Sequence, residues 1–200
     1  PENFKRVLDA GAWGMVVPMV NSREEAERAV EAARYYPDGN RSVGGGRFPM
    51  SFDAGAEEYL RNANEEILVV LQIEHIRGVE NADAILSVPG VDACFIGPND
   101  LAASMGIGLG VPLESDIPPL MEAIEEIKAA CLRNGVAPGI HCSGAEGVNQ
   151  RIAEGFQFCA MASELRYLLS GLRADLAALN WQRSTPATTG EAVAGGAVRY

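Results

Sequence analysis

Two apolar segments that each end in an acidic residue constrain the fold of this chain most strongly. LVVLQIE occupies residues 68–74 and CFIGPND occupies residues 94–100, so the first run ends at Glu74 and the second at Asp100. Continuous apolar runs of this kind predict buried β-strands in a parallel sheet that is covered on both faces. In parallel α/β folds, functional residues follow the C-terminal ends of the strands. We therefore expect both carboxylates at the same rim of the sheet.

Each acid taken alone has a simpler interpretation. A carboxylate directly after a strand commonly caps the helix that follows, and for a single acid this role is favoured. If the two strands are neighbours, however, they lie about 4.8 Å apart. Two carboxylates would then converge closely enough to hold one hard cation. The placement of Glu74 and Asp100 on successive strand ends therefore favours a metal site.

The same alternation of strand and helix runs through the whole chain. Strands are predicted at 14–20, 67–73, 91–97, 136–141 and 156–161. Helical periodicity or a capping signal follows the strands, and no antiparallel hairpin signal interrupts the order. The pattern therefore predicts an α/β fold with a parallel sheet. Five such units fit either an open doubly wound sheet or part of a barrel, and the spacing alone leaves both open.

Local signals mark several helix ends. Ser22 and Glu25 form one capping box and Ser143 and Glu146 form another, so each pair predicts the start of a helix. A longer helix is predicted from about residue 118 to residue 134, because apolar residues recur there at helical spacing. Gly135 follows it directly and predicts its end.

Composition excludes several classes of function. The chain has 200 residues, of which 48% are hydrophobic, so one globular domain with a real core is expected. A formal net charge of −11 without a basic patch argues against a nucleic-acid partner. No apolar run is long enough to span a bilayer, and no secretory signal opens the chain. The cysteines lack C-x-x-C spacing, which predicts buried reduced thiols in a cytoplasmic protein; they are Cys94, Cys131, Cys142 and Cys159.

Several segments together resemble one known family. They are VPMV at 17–20, the PDG and RSVGGG loop at 37–46, LQIE at 71–74, FIGPNDLAASMG at 95–106 and APGI at 137–140. In these segments the chain resembles the HpcH/HpaI aldolases, metal-dependent class II pyruvate aldolases of the phosphoenolpyruvate/pyruvate superfamily. The resemblance covers almost everything from Pro1 to about Trp181. It implies a TIM (β/α)₈ barrel, usually assembled as a homo-hexamer.

The resemblance also implies which part of a barrel the chain represents. On the family template the predicted strands correspond to strands four to eight. Residues 1–181 are then expected to be the C-terminal five-eighths of an N-terminally truncated barrel, and residues 182–200 a flexible C-terminal tail. The family's catalytic His after strand two and its substrate-contacting Arg after strand three would have no counterpart in this chain.

The family pattern assigns roles to residues at the two strand ends. It implies that Glu74 and Asp100 bind one divalent cation, and carboxylate ligands suit Mg²⁺, Mn²⁺ or Co²⁺. It makes Gln72 a catalytic residue that hydrogen-bonds the substrate keto oxygen or a metal-bound water. Gln72 lies two residues before Glu74 and so faces the same side of the strand. Without the resemblance, a buried polar residue satisfied inside the barrel explains Gln72 equally well.

The turn after the third predicted strand is the implied site for the substrate carboxylate. Gly97, Pro98, Asn99 and Asp100 open a helix there, and free backbone N–H groups at a helix start bind anions. The resemblance places the pyruvate carboxylate and keto oxygen at this turn. Ordinary strand-end turn chemistry is the simpler interpretation of Gly97.

Other residues are weaker candidates. His75 follows Glu74 directly and is expected to point elsewhere, and His141 is expected to be a satisfied strand-end residue. Arg41 and Arg47 flank a glycine-rich loop, which by resemblance is lid-like and brings an arginine toward the aldehyde or a neighbouring subunit. A core or subunit contact is expected for a last group, namely Trp13, Trp181 and the leucines at 165, 168, 172, 176 and 179.

The resemblance implies an aldolase that reversibly cleaves 4-hydroxy-2-oxo acids to pyruvate and an aldehyde. A divalent cation would neutralise the charge that develops on the pyruvate enolate. The expected partners are therefore small 2-oxo acids and aldehydes and further copies of the chain, without nucleic acid or membrane. One alternative is an acyl-CoA lyase of the citrate lyase β-subunit type, although no basic cluster for the CoA phosphates is evident. A catalytically inactive barrel fragment is another.

Overall fold

The computed structural model of the chain describes residues 2–45, 47 and 50–180. The strands are β1 (Gly14–Val17), β2 (Leu68–Ile73), β3 (Ala93–Ile96), β4 (Gly139–Cys142) and β5 (Phe158–Met161). The helices are α1 (Glu2–Asp9), α2 (Arg23–Ala33), α3 (Ala56–Glu66), α4 (Ile76–Glu80), α5 (Ala82–Leu86), α6 (Pro98–Ser104), α7 (Pro118–Asn134), α8 (Ala145–Ala153) and α9 (Glu164–Ala178). The predicted strand–helix alternation is therefore confirmed.

The strands form one parallel sheet in the order β1-β2-β3-β4-β5. Each strand pairs with the next strand in the chain, so the sheet is wound in one direction and curls into a half-barrel. This confirms the predicted strand order. It also excludes the doubly wound alternative, in which the strand order reverses.

Alternation along the strands separates two apolar clusters. On the outer face, Leu71 and Ile73 of β2 join a large core with Ile124 and Ile127 of α7. On the concave face, a smaller cluster contains Val70, Ala93 and Phe95, with Phe158 packed against them. A barrel fragment is expected to expose apolar side chains on its concave face, and Val16 and Leu68 on this face are 42% and 45% exposed, in agreement with that expectation. In the centre of the face the expectation is wrong. Phe95 and Phe158 pack edge to face with ring centroids 5.8 Å apart and cover it.

A buried arginine clamps the N-terminal ends of two strands. The side chain of Arg34 is only 5% exposed. It donates hydrogen bonds to the carbonyl oxygens of Ile67 and Gly90 and forms an ion pair of 2.9 Å with Asp92. The same carboxylate of Asp92 accepts the backbone N–H of Val69 at 2.7 Å. Arg34 therefore joins the entrances of β2 and β3, and every one of these contacts is attractive.

Arg41 is fixed inside the protein and is not available to a substrate. Its guanidinium is fully buried, forms an ion pair of 2.8 Å with Asp9, and donates to the Tyr59 hydroxyl at 3.2 Å. It also lies 4.5 Å from the ring centroid of Tyr35. Burial alone would raise the pKa of Asp9, but hydrogen bonds from Arg41 and Lys5 lower it on balance. Arg41 or Arg47 was expected to approach the aldehyde or a neighbouring subunit; the burial of Arg41 excludes this residue, and the approach of Arg47 stays a prediction.

The other loop and aromatic candidates have different outcomes. Arg47 is exposed, and its backbone N–H donates to the Asp9 carbonyl oxygen at 2.8 Å. Trp13 is 72% exposed, and its ring centroid lies 5.6 Å from that of Phe52. Of the two alternatives expected for Trp13, a place in the core is excluded and a subunit contact stays a prediction. A tryptophan directly before a strand can stack on a neighbouring ring without entering the core.

Helix starts also differ from the sequence expectation at one place. Ser22 caps α2 as predicted, and its hydroxyl accepts the backbone N–H of Glu25 at 3.3 Å. The capping box predicted at Ser143 does not form, because Gly144 is the N-cap residue of α8 and has no side chain to accept a hydrogen bond. The backbone N–H of Ser143 instead donates to the Glu114 carboxylate at 2.7 Å. A carboxylate distant in sequence has therefore replaced the local cap.

The described residues divide into two compact units, of which the first ends at Ala162 and the second begins at Ser163. The first unit contains the sheet and helices α1 to α8. In the second unit the described residues form α9, in which no side chain is buried. The expectation of a core or subunit contact for the leucines of α9 stays a prediction. Trp181 and the predicted tail at 182–200 lie outside the described residues.

Candidate functional site

The strand register brings the two predicted strand ends together. Ile73 of β2 lies beside Ile96 of β3 in the parallel ladder. The residues that follow them, Glu74 and Gly97, are therefore level with each other at the C-terminal rim. Asp100 follows in the first turn of α6. The sequence expectation that both acids reach the same rim is confirmed.

Glu74 is a buried carboxylate whose two oxygens are both held. Its residue exposure is 5%. One oxygen accepts the backbone N–H of Met19 at 3.0 Å, and the other accepts the side-chain amide of Gln72 at 2.5 Å. The intervening Ile73 is fully buried in the outer core. Gln72 and Glu74 thus face the concave side and Ile73 faces the helices, which confirms the predicted orientation.

Asp100 acts on Glu74 through its charge. Burial is the largest influence and raises the pKa of Glu74, and the nearby negative charge of Asp100 raises it further. The hydrogen bonds from Met19 and Gln72 oppose this change but do not cancel it. Glu74 accepts hydrogen bonds on both oxygens, as an ionised carboxylate does. Two negative groups are thus held near each other at a partly dehydrated rim, an arrangement that a cation would relieve.

Gly97 leaves the floor of the site open. A Cβ atom at this position would lie 2.6 Å from a carboxylate oxygen of Glu74 and 3.0 Å from the amide nitrogen of Gln72. Real Cβ atoms do not approach other atoms so closely, so any other residue would displace the carboxylate. The glycine is therefore required by the close approach of Glu74, and ordinary turn chemistry does not explain it.

Helix α6 begins directly above this floor. Gly97 is its N-cap residue and Pro98 stands at the first helical position, where its missing N–H costs nothing. Asn99 and Asp100 are both exposed in the first turn. Their backbone N–H groups have no partner within the helix, as in the first turn of any helix. The predicted binding of a substrate carboxylate here remains a prediction.

The carboxylate pair suits a hard divalent cation. Among the described residues, no group of three or more His, Cys, Asp or Glu side chains is arranged to hold a metal ion. Glu74 and Asp100 provide two oxygen ligands, and Mg²⁺ commonly binds one or two carboxylates and completes its shell with water and substrate oxygens. The charge repulsion and the open glycine floor both favour such an ion. The residues present therefore fit the implied group.

The two histidines of the chain have different places. His75 begins α4, and its Nδ1 accepts the backbone N–H of Arg77 at 3.1 Å, so it stabilises a helix start. His141 lies on β4, and its Nε2 donates to the carbonyl oxygen of Ala162 at 3.0 Å. This bond agrees with the expectation of a satisfied strand-end residue, although it uses only one ring nitrogen.

The cysteines match the expectation of free thiols. All four are unbridged; three are buried and Cys159 is partly buried. A hydrogen bond between the Cys94 thiol and Cys131 stabilises the protonated form of Cys94, and together with full burial it raises the pKa of Cys94 well above its usual range. Burial raises the pKa of Cys142 to about 11. Such thiols are unreactive near neutral pH.

Two further features were not predicted. The backbone N–H of Met19 orients Glu74, and Met19 has a left-handed φ of 58°. No side-chain pattern encodes a backbone donor, although the VPMV segment marks its place. A cavity of about 690 Å³ opens beside the end of β1, between α1 and α2. Its lining includes Met19 but neither Glu74 nor Asp100, so it is separate from the carboxylate pair.

No helix among the described residues has the length and apolar character needed to cross a bilayer.

Comparison with known proteins identifies relatives along most of the chain. The family model described as HpcH/HpaI aldolase/citrate lyase matches residues 1–170. A hydroxypyruvate/pyruvate aldolase of Rhizorhabdus wittichii is 36% identical over 174 residues, which are 86% of this chain and 67% of the relative. A 4-hydroxy-2-oxo-heptane-1,7-dioate aldolase of Klebsiella pneumoniae is 38% identical over 175 residues, 87% of this chain and 64% of the relative.

A solved structure shows the same arrangement of elements. The HpcH/HpaI aldolase of Desulfitobacterium hafniense superposes with a TM-score of 0.79 at 30% sequence identity, covering 92% of this chain and 71% of that one. The chain spans about two thirds of the length of the curated relatives that it matches.

Proposed function

The chain belongs to the HpcH/HpaI aldolase/citrate lyase family, and on that premise we propose that its protein is a metal-dependent aldolase. The proposed reaction is the reversible cleavage of 4-hydroxy-2-oxo acids to pyruvate and an aldehyde. We also propose that the half-barrel belongs to a (β/α)₈ barrel in which β1 to β5 are strands four to eight. The winding of the sheet in one direction supports this architecture.

One observation carries the proposal. Glu74 is a buried carboxylate held on both oxygens, and the charge of Asp100 raises its pKa further. Like charges at one rim are costly unless a cation or a proton compensates them. A buried structural acid is commonly compensated by an arginine or lysine, as Asp9 is by Arg41. We therefore assign Glu74 and Asp100 as ligands of one divalent cation, Mg²⁺, Mn²⁺ or Co²⁺.

Different residues of the chain have different roles in the proposed reaction. When bound, the cation supplies positive charge next to the oxygen on which negative charge develops. The amides of Asn99 and Asp100 at the start of α6 bind the substrate carboxylate. Gln72 uses one amide hydrogen to fix Glu74, and its second is available to the keto oxygen. Gly97 and Pro98 shape the turn so that the substrate can approach the backbone.

The relatives suggest the class of substrate and the assembly. Their names specify hydroxypyruvate, pyruvate and 4-hydroxy-2-oxo-heptane-1,7-dioate, all of which are 2-oxo acids or yield them. We propose the same class for this protein. We also propose a homo-oligomer, with the hexamer that the family resemblance implies. Leucines recur at helical spacing along α9 and support a contact between copies, and the molar mass in solution tests this part.

Exchange of the pyruvate methyl protons with solvent tests the proposal most directly. The full chain is incubated with pyruvate in D₂O, with Mn²⁺ or Mg²⁺ and with a chelator, and the methyl signal is followed by NMR. Exchange should require the metal, and Glu74→Gln should reduce its rate about 100-fold or more. Glu80→Gln is the matched control, because Glu80 is an exposed glutamate on α4.

Two results would contradict the assignment. Metal-independent exchange, or equal exchange rates in Glu74→Gln and the parent, would exclude Glu74 as a metal ligand for this reaction. Cleavage of an acyl-CoA substrate without any exchange of pyruvate protons would favour the acyl-CoA lyase alternative instead.

A further inference from the structure

The concave face of the sheet is apolar except at its C-terminal rim. Among the described strand residues, its centre is formed by Val70, Ala93, Phe95 and Phe158. The polar side chains that follow on this face are Gln72, Glu74 and His141. The proposed reaction uses the first two. His141, on β4, is a further polar side chain on the same surface.

The strand register places His141 level with Glu74. Ile96 of β3 lies beside Ile140 of β4, so the next residues, Gly97 and His141, are also level. Glu74 is level with Gly97 on the other side. Two strand spacings separate the backbones of Glu74 and His141 by about 9.6 Å. Because Gly97 between them has no side chain, the space above it is bounded by a carboxylate on one side and an imidazole on the other.

The orientation of the His141 ring is fixed. Its Nε2 lies 3.0 Å from the carbonyl oxygen of Ala162, and a carbonyl oxygen only accepts, so Nε2 carries the proton of this bond. Its ring centroid lies 6.3 Å from that of Phe95, and Ala160 is its neighbour in the ladder. In the neutral ring the other nitrogen, Nδ1, therefore holds a lone pair. Nδ1 can accept a hydrogen bond but cannot donate one.

We propose that His141 is a specificity residue that accepts a hydrogen bond from a hydroxyl group on the 2-oxo acid. This inference rests on the proposed function. A 2-oxo acid lying above Gly97 occupies the space between Glu74 and His141. Hydroxypyruvate carries a hydroxyl on the carbon next to its keto group, whereas pyruvate carries a methyl group that offers no donor. His141 thus selects hydroxypyruvate over pyruvate, because an acceptor that loses water on binding and gains no donor in return costs binding free energy.

A purely structural role predicts a different pattern of mutant behaviour. In that case His141 would matter only through the bond from Nε2 to Ala162, which joins β4 to the end of β5. Two substitutions separate the roles. In His141→Gln the side-chain nitrogen can replace Nε2 and no atom replaces Nδ1. In His141→Asn the side-chain oxygen can replace Nδ1, but the bond to Ala162 is lost.

The test compares the binding of two ligands to the full chain. Hydroxypyruvate and pyruvate are titrated in the presence of Mg²⁺ by calorimetry, and the ratio of their Kd values is the readout. We expect His141→Gln to reduce the preference for hydroxypyruvate about tenfold without lowering Tm. We expect His141→Asn to keep the preference within about threefold while lowering Tm by a few degrees. His75→Gln is the matched control and should leave the ratio unchanged.

The possible outcomes are distinct. An unchanged ratio in His141→Gln, a parent that binds pyruvate as tightly as hydroxypyruvate, or a parent that binds neither would overturn the role of His141. The proton-exchange assay tests the aldolase proposal separately. Selective binding that depends on His141 but occurs without exchange would therefore support this inference while contradicting the proposed reaction.

Discussion

The two rims of the same sheet differ in how a buried charged side chain is compensated. At the N-terminal rim, Arg34 is surrounded by two carbonyl oxygens and by Asp92 of opposite charge. At the C-terminal rim, Glu74 is held by two N–H groups, and the charge that acts on it is the like charge of Asp100. Both side chains are about equally buried. The first arrangement is electrostatically complete, and the second lacks a positive charge.

This difference separates a stabilising contact from a functional one. A buried charge with satisfied partners contributes to the fold, since removing it leaves those partners exposed to an apolar interior. A buried charge beside a like charge reduces stability and persists where a ligand compensates it. The N-terminal rim should therefore respond to mutation through unfolding, and the C-terminal rim through ligand binding.

Replacing Arg34 by Met should give the largest effect. The substitution leaves Asp92 and the carbonyl oxygens of Ile67 and Gly90 without their donors, so the free energy of unfolding should fall by about 3 kcal/mol. The estimate is at the lower end because the Asp92 side chain is 34% exposed. Urea denaturation measures the change. Arg61→Met is the control, since its ion pair with Glu57 is largely exposed and should contribute less than about 1 kcal/mol.

Replacing Asp100 by Asn should weaken metal binding and leave the stability of the fold almost unchanged. The affinity for Mn²⁺, measured by calorimetry, should fall about 100-fold, which corresponds to about 2.7 kcal/mol. The free energy of unfolding should stay within about 0.5 kcal/mol, because Asp100 is exposed. Asp116→Asn removes an acid from an exposed loop and serves as the control. A stability loss with unchanged affinity would instead support the capping role considered for each acid alone.

Replacing Gly97 by Ala should have an intermediate effect at the C-terminal rim. The new methyl group would lie 2.6 Å from the Glu74 carboxylate and must displace it. We expect the Mn²⁺ affinity to fall about tenfold, in line with the loss of groups that orient a metal ligand. Gly55→Ala is the control, because a Cβ atom there meets nothing within 4 Å. Equal affinities in the two variants would show that the carboxylate is not confined by Gly97.

The smallest effect should be a pH-dependent gain in the stability of the fold when Glu74 is replaced by Gln. The pKa of Glu74 is raised in the folded chain, so its ionised form opposes folding above that pKa. This penalty is relieved as the pH falls through the raised value, and it disappears below the ordinary value of 4.5. Without divalent metal, Glu74→Gln should therefore have a higher Tm than the parent at pH 7. The difference should vanish below about pH 4, and a constant difference would assign it to another cause.

The strand pattern made much of the fold predictable from the sequence. Apolar runs such as that at 68–73 cannot remain in water, and their regular spacing with helices determines a parallel sheet wound in one direction. The end of α7 at Gly135 was predictable for a similarly local reason, because its φ of 68° suits glycine. The apolar strands and the end of α7 were predictable because they depend on residues that are close together in the sequence.

Long-range contacts account for what could not be predicted. The cap at Ser143 was replaced by Glu114, which is 29 residues away in the chain. Arg41 was buried by Asp9 and two tyrosines rather than left in a lid-like loop. At the rim, the acids followed from strand-end placement, whereas the contribution of Met19 is a backbone group that any residue except proline would carry.

That backbone donor has a consequence for how the site can change during evolution. Selection acts on Met19 through a peptide N–H, so nineteen of the twenty residue types retain the donor and only proline removes it. Most substitutions at this position would therefore keep the backbone N–H that orients Glu74. Glycine and asparagine, which adopt a left-handed φ readily, would even be favoured by backbone conformation. Sequence variability at position 19 among natural relatives would thus be compatible with an invariant carboxylate, and low variability there would point to a separate role for the methionine side chain.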